Sequence, residues 1–499
     1  MVIREVVEGQ SGLPSPNPTK SYWHKEPSQK LLGHRSTETL PEAADIVIIG
    51  SGITGAFAAR FLKHGNARNS KVVMLEAREA CWGATGRNGG HCQPFIYTAD
   101  PVVAAFELET YHFLKNLVEE NNIPCDWASF PGVHAALTQD VFDLAATAVK
   151  SLKSQHPGLG AQVDIADKDT LASLRVPAVK GAIVQKHAAS LWPYKMVAWV
   201  IEELLATFPA PSFNLQTNTP VTDLKQRSDG GGWTLTTTRG RITAKTVLLC
   251  TNGYTSRLLP SFSDLIVPVR GQIAAVLPPR RSNTETPAKL QHSYLFSGNY
   301  PPRFREDYLV QRPLPIGELI FGGGRLMAKG LGVGEWRDDT IEKPVSTHLR
   351  GKLSPPLDLS PGTPYTKREN HEEEKGALLN ATYEWTGVMG YSRDSRPWVG
   401  AVPKRLGGGG VNGGLWICGG YTGHGMPVAA LAAREVVKQM TGSSATHGDL
   451  EFPEQWRLTE ARVESVRKEL KTLKEQEEAG MCAHGPATAQ DLGTKVMEG

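Results

Sequence analysis

From residue 44 the chain changes from a polar to an apolar rhythm. Asp45-Ile46-Val47-Ile48-Ile49 is a short β-branched run that stops at Gly50, the pattern of a parallel strand buried on both faces. A helical segment over 56–63 and a second apolar run, Val72-Val73-Met74-Leu75, complete a βαβ unit with an expected right-handed crossover. Apolar residues at helical spacing (Val103, Phe106, Leu114, Leu117, Val118) predict a helix over 102–122, and similar patterns predict helices over 140–153 and 199–208. Strands are expected at 220–224, 233–237 and 245–250, then in alternation through 265–325, and again at 415–418 before a helix over 427–440. Residues 1–40 are polar and rich in Pro, Ser and Lys, so they read as an extended arm over the body, anchored only at Tyr22 and Trp23. Residues 350–380 read as a Pro- and charge-rich connection, and 453–478 as a charged, solvated helix before a disordered tail.

Composition narrows this picture. The chain has 499 residues, long enough for a two-domain enzyme with tails. Its formal net charge of +3 is too weak to argue for nucleic acid or an anionic membrane as a partner. Six cysteines form no CxxC pair, which suits free thiols in a reducing compartment. The 14 histidines show no metal-ligand spacing, so no metal is expected. No apolar stretch approaches the roughly 20 residues of a membrane span, the first residues lack a secretory core, and Met-Glu-Gly at the end is not a peroxisomal address. The cytoplasm is the expected location.

Gly50-Ser51-Gly52-Ile53-Thr54-Gly55 fits Gly-x-Gly-x-x-Gly, with a strand before it and a helix after. Gly50 permits the tight turn, Gly52 lets backbone approach a pyrophosphate, and Gly55 lets helix and strand pack closely. The amides around Ile53 and Thr54 open the helix, where its dipole favours phosphate charge. Glu76, beside Ala77, follows the second strand 21 residues past Gly55, where an acidic side chain binds ribose hydroxyls. The fingerprint implies a dinucleotide and does not separate FAD from NAD.

A second glycine-rich run, Gly83-Ala84-Thr85-Gly86-Arg87-Asn88-Gly89-Gly90-His91, cannot pack a core but can lay backbone along a ligand. This run resembles that of the D-amino-acid oxidase superfamily of FAD-dependent oxidoreductases. It is most similar to the amine-oxidising branch of sarcosine oxidase, glycine oxidase and γ-glutamylputrescine oxidoreductase, and the likeness covers roughly 44–440. Pro220-Val221-Thr222 resembles the strand whose backbone meets adenine, pointing to Val221. Val247–Gly253, with Thr251 and Gly253, resembles the second flavin strand, and Pro268-Val269-Arg270-Gly271-Gln272 another family stretch. Trp385 through Gly400 resembles the segment before the last cofactor loop. That loop holds Gly420, Gly423, His424, Gly425 and Met426.

The resemblance implies an α/β protein with a Rossmann-like, GR2-type FAD-binding domain and an interleaved α+β substrate domain on an antiparallel sheet. Segments 41–105, 181–260 and 381–440 are assigned to the first domain, 106–180 and 261–380 to the second, and 441–499 to a charged helix and tail. It further implies oxidation of an amine's CH–NH bond by hydride transfer to flavin N5, with oxygen or another acceptor reoxidising the flavin. Ala84, Thr85, Arg87, Asn88, Gly89 and Gly90 are expected to support the cofactor. His91 and His424, ending glycine-rich segments, are candidates beside the flavin ring, and either could instead be a hydrogen-bonded structural histidine. Arg270 is a third candidate, and Arg325 and Tyr391 could line the substrate side; a surface salt bridge is the competing reading for each arginine.

Three departures from sarcosine oxidase carry information. Gly387 stands where that branch attaches FAD to a cysteine, so FAD is expected to be non-covalent. Pro427 stands near the place of a carboxylate-binding basic residue, and Leu319-Ile320-Phe321 lacks the oxygen-activating lysine. The substrate is therefore expected to be an amine or a larger amino compound. Two other readings stay open, a tailoring oxidase acting on C–C or C–O bonds and a non-catalytic flavoprotein.

Overall fold

The computed structural model describes residues 9–279, 286–301, 303–351, 353, 356–360, 378–443 and 450–478. Two sheets carry the described chain. In the first, strands run in the order Trp398–Ala401, Leu415–Gly419, Gly240–Leu249, Ala43–Ile49, Val72–Leu75, Phe213–Gln216. The last five are parallel, and the hairpin Val221–Gln226/Trp233–Thr237 joins at Gly240–Leu249. The unbroken apolar run at 45–49 has a physical reason: Ile46 and Ile48 enter one core and Val47 and Ile49 another, on opposite faces.

The second sheet runs Ala381–Ser392, Ile266–Val276, Leu319–Gly323, Arg303–Gln311, Ser293–Tyr300, Ala128–Ala136, Gly181–Ser190, His91–Cys92. It is antiparallel except where Ser293–Tyr300 pairs parallel to Ala128–Ala136. Strands 91–92, 181–190 and 381–392 thus lie in this sheet, although they fall in segments assigned to the cofactor domain.

Helices form at Pro101–Glu120, Gln139–Gln155, Pro193–Thr207 and Ala429–Thr441, as the periodicity predicts, and the first nucleotide helix already begins at Ile53. Two expectations are corrected. The arm is anchored well beyond Tyr22 and Trp23: Ser11, Ser15, Ser21 and Leu31 are also buried. Ser11 N donates to Ser256 Oγ, and Ser15 Oγ to Asp339. The charged helix, Glu460–Glu478, is not merely solvated. Val463 and Val466 enter the core beneath the first sheet, and the Arg462 guanidinium lies 3.7 Å from the Trp398 ring while pairing with Asp394. Two apolar residues and one stacked arginine were too sparse a stripe to stand out among so many charges. The centre of the 350–380 connection and the tail beyond 478 lie outside the described residues. No helix among the described residues is long and apolar enough to cross a membrane, and no group of three or more His, Cys, Asp or Glu among them could hold a metal ion.

Candidate active site

The carboxyl ends of the first sheet's parallel strands open on a cavity of about 870 Å³, whose far side is the second sheet. Of the candidate cofactor and catalytic residues, all but Gly55, Gly90 and Gly420 line it. Gly55 is excluded from the lining for a reason: a Cβ there would lie 1.9 Å from the Gly50 carbonyl oxygen. Helix and loop touch backbone to backbone, and residues 50–54 line the cavity's edge. Glu76 is fixed beside them, accepting from Ser51 N at 3.0 Å, Ser51 Oγ at 2.6 Å and Arg78 N at 2.9 Å. Thr85 Oγ1 accepts from Ile53 N at 3.0 Å, which ties the second glycine run to the helix start.

Arg87 is buried beneath that run. Its Nε donates to Thr386 O at 2.6 Å and lies 3.2 Å from the Asp338 carboxylate, which also pairs with Arg78. Its Nη2 donates to Thr19 of the arm, at 2.5 Å to the carbonyl and 2.6 Å to the hydroxyl. Its Nη1, equally buried, has no partner among the described residues.

The opposite wall is made of side chains. Tyr308 slides between Gly89 and Gly322, where a Cβ would come within 2.1 Å and 2.4 Å of its ring, and stacks on His91. Burial, with His134 and His424 adding to it, lowers the His91 pKa to about 3, so its ring is neutral near pH 7. His424 stacks on Phe95 at 3.7 Å, and its Nε2 is 2.8 Å from Glu107 Oε2. Glu306 lines the cavity with an accessible side chain. Desolvation by the surrounding protein raises its pKa, against the pull of His424 and Arg325. Arg325 lies 4.5 Å from the Tyr391 ring and, among the described residues, meets no carboxylate at ion-pair distance and keeps a buried Nη2 without a partner. Arg270 also reaches the wall, but its Nη2 is 2.6 Å from Glu342 Oε1, so its charge is already met.

Glu107, Glu306, Gln93, His134 and Tyr308 escape the sequence reading. Only Glu107 carried a usable signal: it interrupts the buried stripe of Ala104, Thr110, Leu114 and Leu117 on its helix. A carboxylate at such a position needs a partner.

Residues 45–439 match the family model DAO: FAD dependent oxidoreductase. The chain belongs to this family. Among curated relatives, "Probable oxidoreductase OrdL" of Haemophilus influenzae is 22% identical over 419 residues, covering 80% of this chain and 84% of that protein. Among solved structures, glycine oxidase from Geobacillus kaustophilus aligns with a TM-score of 0.62 at 18% identity, covering 84% of this chain and 99% of that one. L-proline dehydrogenase from P. horikoshii aligns at 0.60 and 18%, covering 84% and 97%. These likenesses are of fold.

The residues present fit FAD. The Arg87 Nη1 donor is buried on a cavity wall and has no partner among the described residues, a helix opens with Gly52 and Ile53 at the cavity, and Glu76 is held beside that opening.

Proposed function

We propose that this FAD-dependent oxidoreductase oxidises the CH–NH bond of an amine to an imine, which water then splits to a carbonyl compound and an amine. The observation that carries the reading is the pair of histidines on the wall facing the cradle, one neutral and one tied to a carboxylate. When bound, FAD supplies the two-electron acceptor, held without a covalent bond by the 50–54 loop, Glu76, Arg87 and the 419–426 loop.

The chain's own residues manage the nitrogen. An amine yields electrons only when unprotonated. His424, oriented by Glu107, takes the proton from the substrate nitrogen, as a carboxylate-backed imidazole does in other acid–base sites. His91, neutral, offers a hydrogen-bond acceptor to a remaining N–H. Arg270, already paired, shapes the wall and does not react. Arg325 is available to an acidic substituent, which favours a larger amino compound carrying one. The names of two fold relatives, glycine oxidase and L-proline dehydrogenase, agree with an amino substrate. Oxygen or another acceptor then takes the electrons.

The test is anaerobic mixing of the purified flavoprotein with a panel of amines, amino acids and alcohols. Loss of the flavin's visible absorbance with an amine is expected. Reduction by alcohols alone, or by nothing in the panel, would sink the reading.

A further inference from the structure

Behind the amine-facing wall, five polar side chains form one hydrogen-bonded row. His91 Nε2 stands 3.0 Å from Ser293 Oγ, and Ser293 Oγ donates to Gln93 Oε1 at 3.2 Å. The Gln93 amide nitrogen meets His134 Nε2, and His134 Nδ1 lies 2.9 Å from the Tyr97 hydroxyl. Ser293 and Gln93 are buried, so water does not compete for these contacts.

The fold seats the amide deliberately. Gly132 lies in the strand Ala128–Ala136, at the register shift between Phe130 and Gly132. A Cβ on Gly132 would lie 2.8 Å from the carbon, the nitrogen and the oxygen of the Gln93 amide. The amide rests flat on the strand backbone, and any side chain at 132 would lift it.

An amide has a fixed polarity: its oxygen accepts and its nitrogen donates. Ser293 has one proton, and that proton goes to Gln93 Oε1. Its oxygen must then accept from His91, which places the His91 proton on Nε2 and leaves Nδ1 bare. Among the described residues the hydrogen bonds of the His91 ring run to Ser293 and to the Gln93 side chain, while the ring lines the cavity. In the other direction His134 Nε2 accepts from Gln93, so His134 carries its proton on Nδ1 and gives it to the Tyr97 oxygen.

We propose that Gln93, seated on Gly132 and acting through Ser293, locks His91 in the tautomer that presents a bare Nδ1 to a substrate N–H. Gln93 and Ser293 are positioning residues. His91 orients the substrate nitrogen, and removal of its proton falls to His424. The charged and titratable groups around His91 are His134 and His424, with Tyr308 stacked on its ring. The identity of the N–H donor rests on the amine reading above; the tautomer does not.

The experiment is nitrogen-15 NMR of histidine-labelled, FAD-loaded protein without substrate, with His91 assigned by its absence in His91→Gln. A protonated Nε2 and a bare Nδ1 are expected. Ser293→Ala should give a tautomer mixture and slow anaerobic flavin reduction by an amine about tenfold, the worth of one directed hydrogen bond. Ser293→Thr should restore both, and Gly132→Ala should resemble Ser293→Ala. A protonated Nδ1 in the wild-type protein overturns the proposal, and so does an unchanged tautomer in Ser293→Ala. Should Ser293→Ala fail to fold, the wild-type spectrum decides alone. The expected tautomer together with a failed amine screen would leave this inference standing and remove the amine reading.

Discussion

The cradle and the wall face each other across one cavity, yet they are built from different material. The cradle is backbone: loop amides and glycines at the carboxyl ends of parallel strands, with Glu76 and Arg87 as its charged members. The wall is side chains, contributed by four strands, a 3-10 turn and a helix that are far apart in sequence: His91, His134, Glu306, Arg325 and Tyr391, with Glu107 behind them. A backbone site tolerates almost any chemistry opposite it. A side-chain site selects that chemistry. On the proposed function, the first would hold the cofactor and the second the substrate.

Substitutions should separate the two. The largest effect is expected at Gly55→Val, where the new side chain meets the Gly50 carbonyl. Stability should fall by about 3 kcal/mol or more, and the protein should purify without flavin. Absorbance and a thermal melt report both, and a yellow, stable Gly55→Val protein would contradict the backbone account.

Next is Glu107→Gln, which removes the carboxylate from His424. Anaerobic flavin reduction by an amine should slow about 100-fold with FAD content unchanged. Flavin loss instead would move Glu107 from wall to cradle. Arg325→Leu should raise the KM for amino compounds with an acidic group by about tenfold and leave neutral amines unaffected; equal effects on both classes would count against its proposed role.

The wall should also show in acid titration. Burial lowers the pKa of His134 to about 4, with His424 adding to it, and that of His91 to about 3. In the unfolded chain both take a proton near pH 6.5, so between that pH and about 4 the unfolded state binds more protons. Stability should therefore fall as pH drops through this window, and His134→Gln should flatten the slope in a denaturant titration. The smallest effect is expected from Thr19→Val, which takes one hydroxyl acceptor from Arg87 and costs about 1 kcal/mol in a thermal melt.

The same contrast explains what could be read from sequence. A backbone site must be written as contiguous small residues, so 50–55, 83–91 and 419–426 stand out as runs. The core of the first sheet was similarly legible from its apolar runs, whereas Ala128–Ala136, Gly181–Ser190 and Ala381–Ser392 of the second sheet mix small, polar and apolar residues and do not read as strands. Wall residues have no such constraint. Glu306 is one charge in a polar strand, and Gln93 an ordinary amide until Gly132 is placed beneath it. Pairings such as His424 with Glu107, 317 positions apart, exist only after folding. The arm misled for a related reason: its anchors are single hydroxyls, Ser11, Ser15 and Thr19, whose partners cannot be guessed from local pattern.

Those anchors bear on the order of events during synthesis. Residues 11–22 are translated before their partners: Ser11 waits for Ser256, Ser15 for Asp339 and Thr19 for Thr386, 245, 324 and 367 positions later. Loop closures of that span come late in folding. Until the strand Ala381–Ser392 has been made, Arg87 has neither the Thr386 carbonyl nor a docked Thr19 to hold it. The nascent βαβ unit can form early, but the finished pocket around Arg87 belongs to a late stage of folding, when the arm closes over the strand Ala381–Ser392.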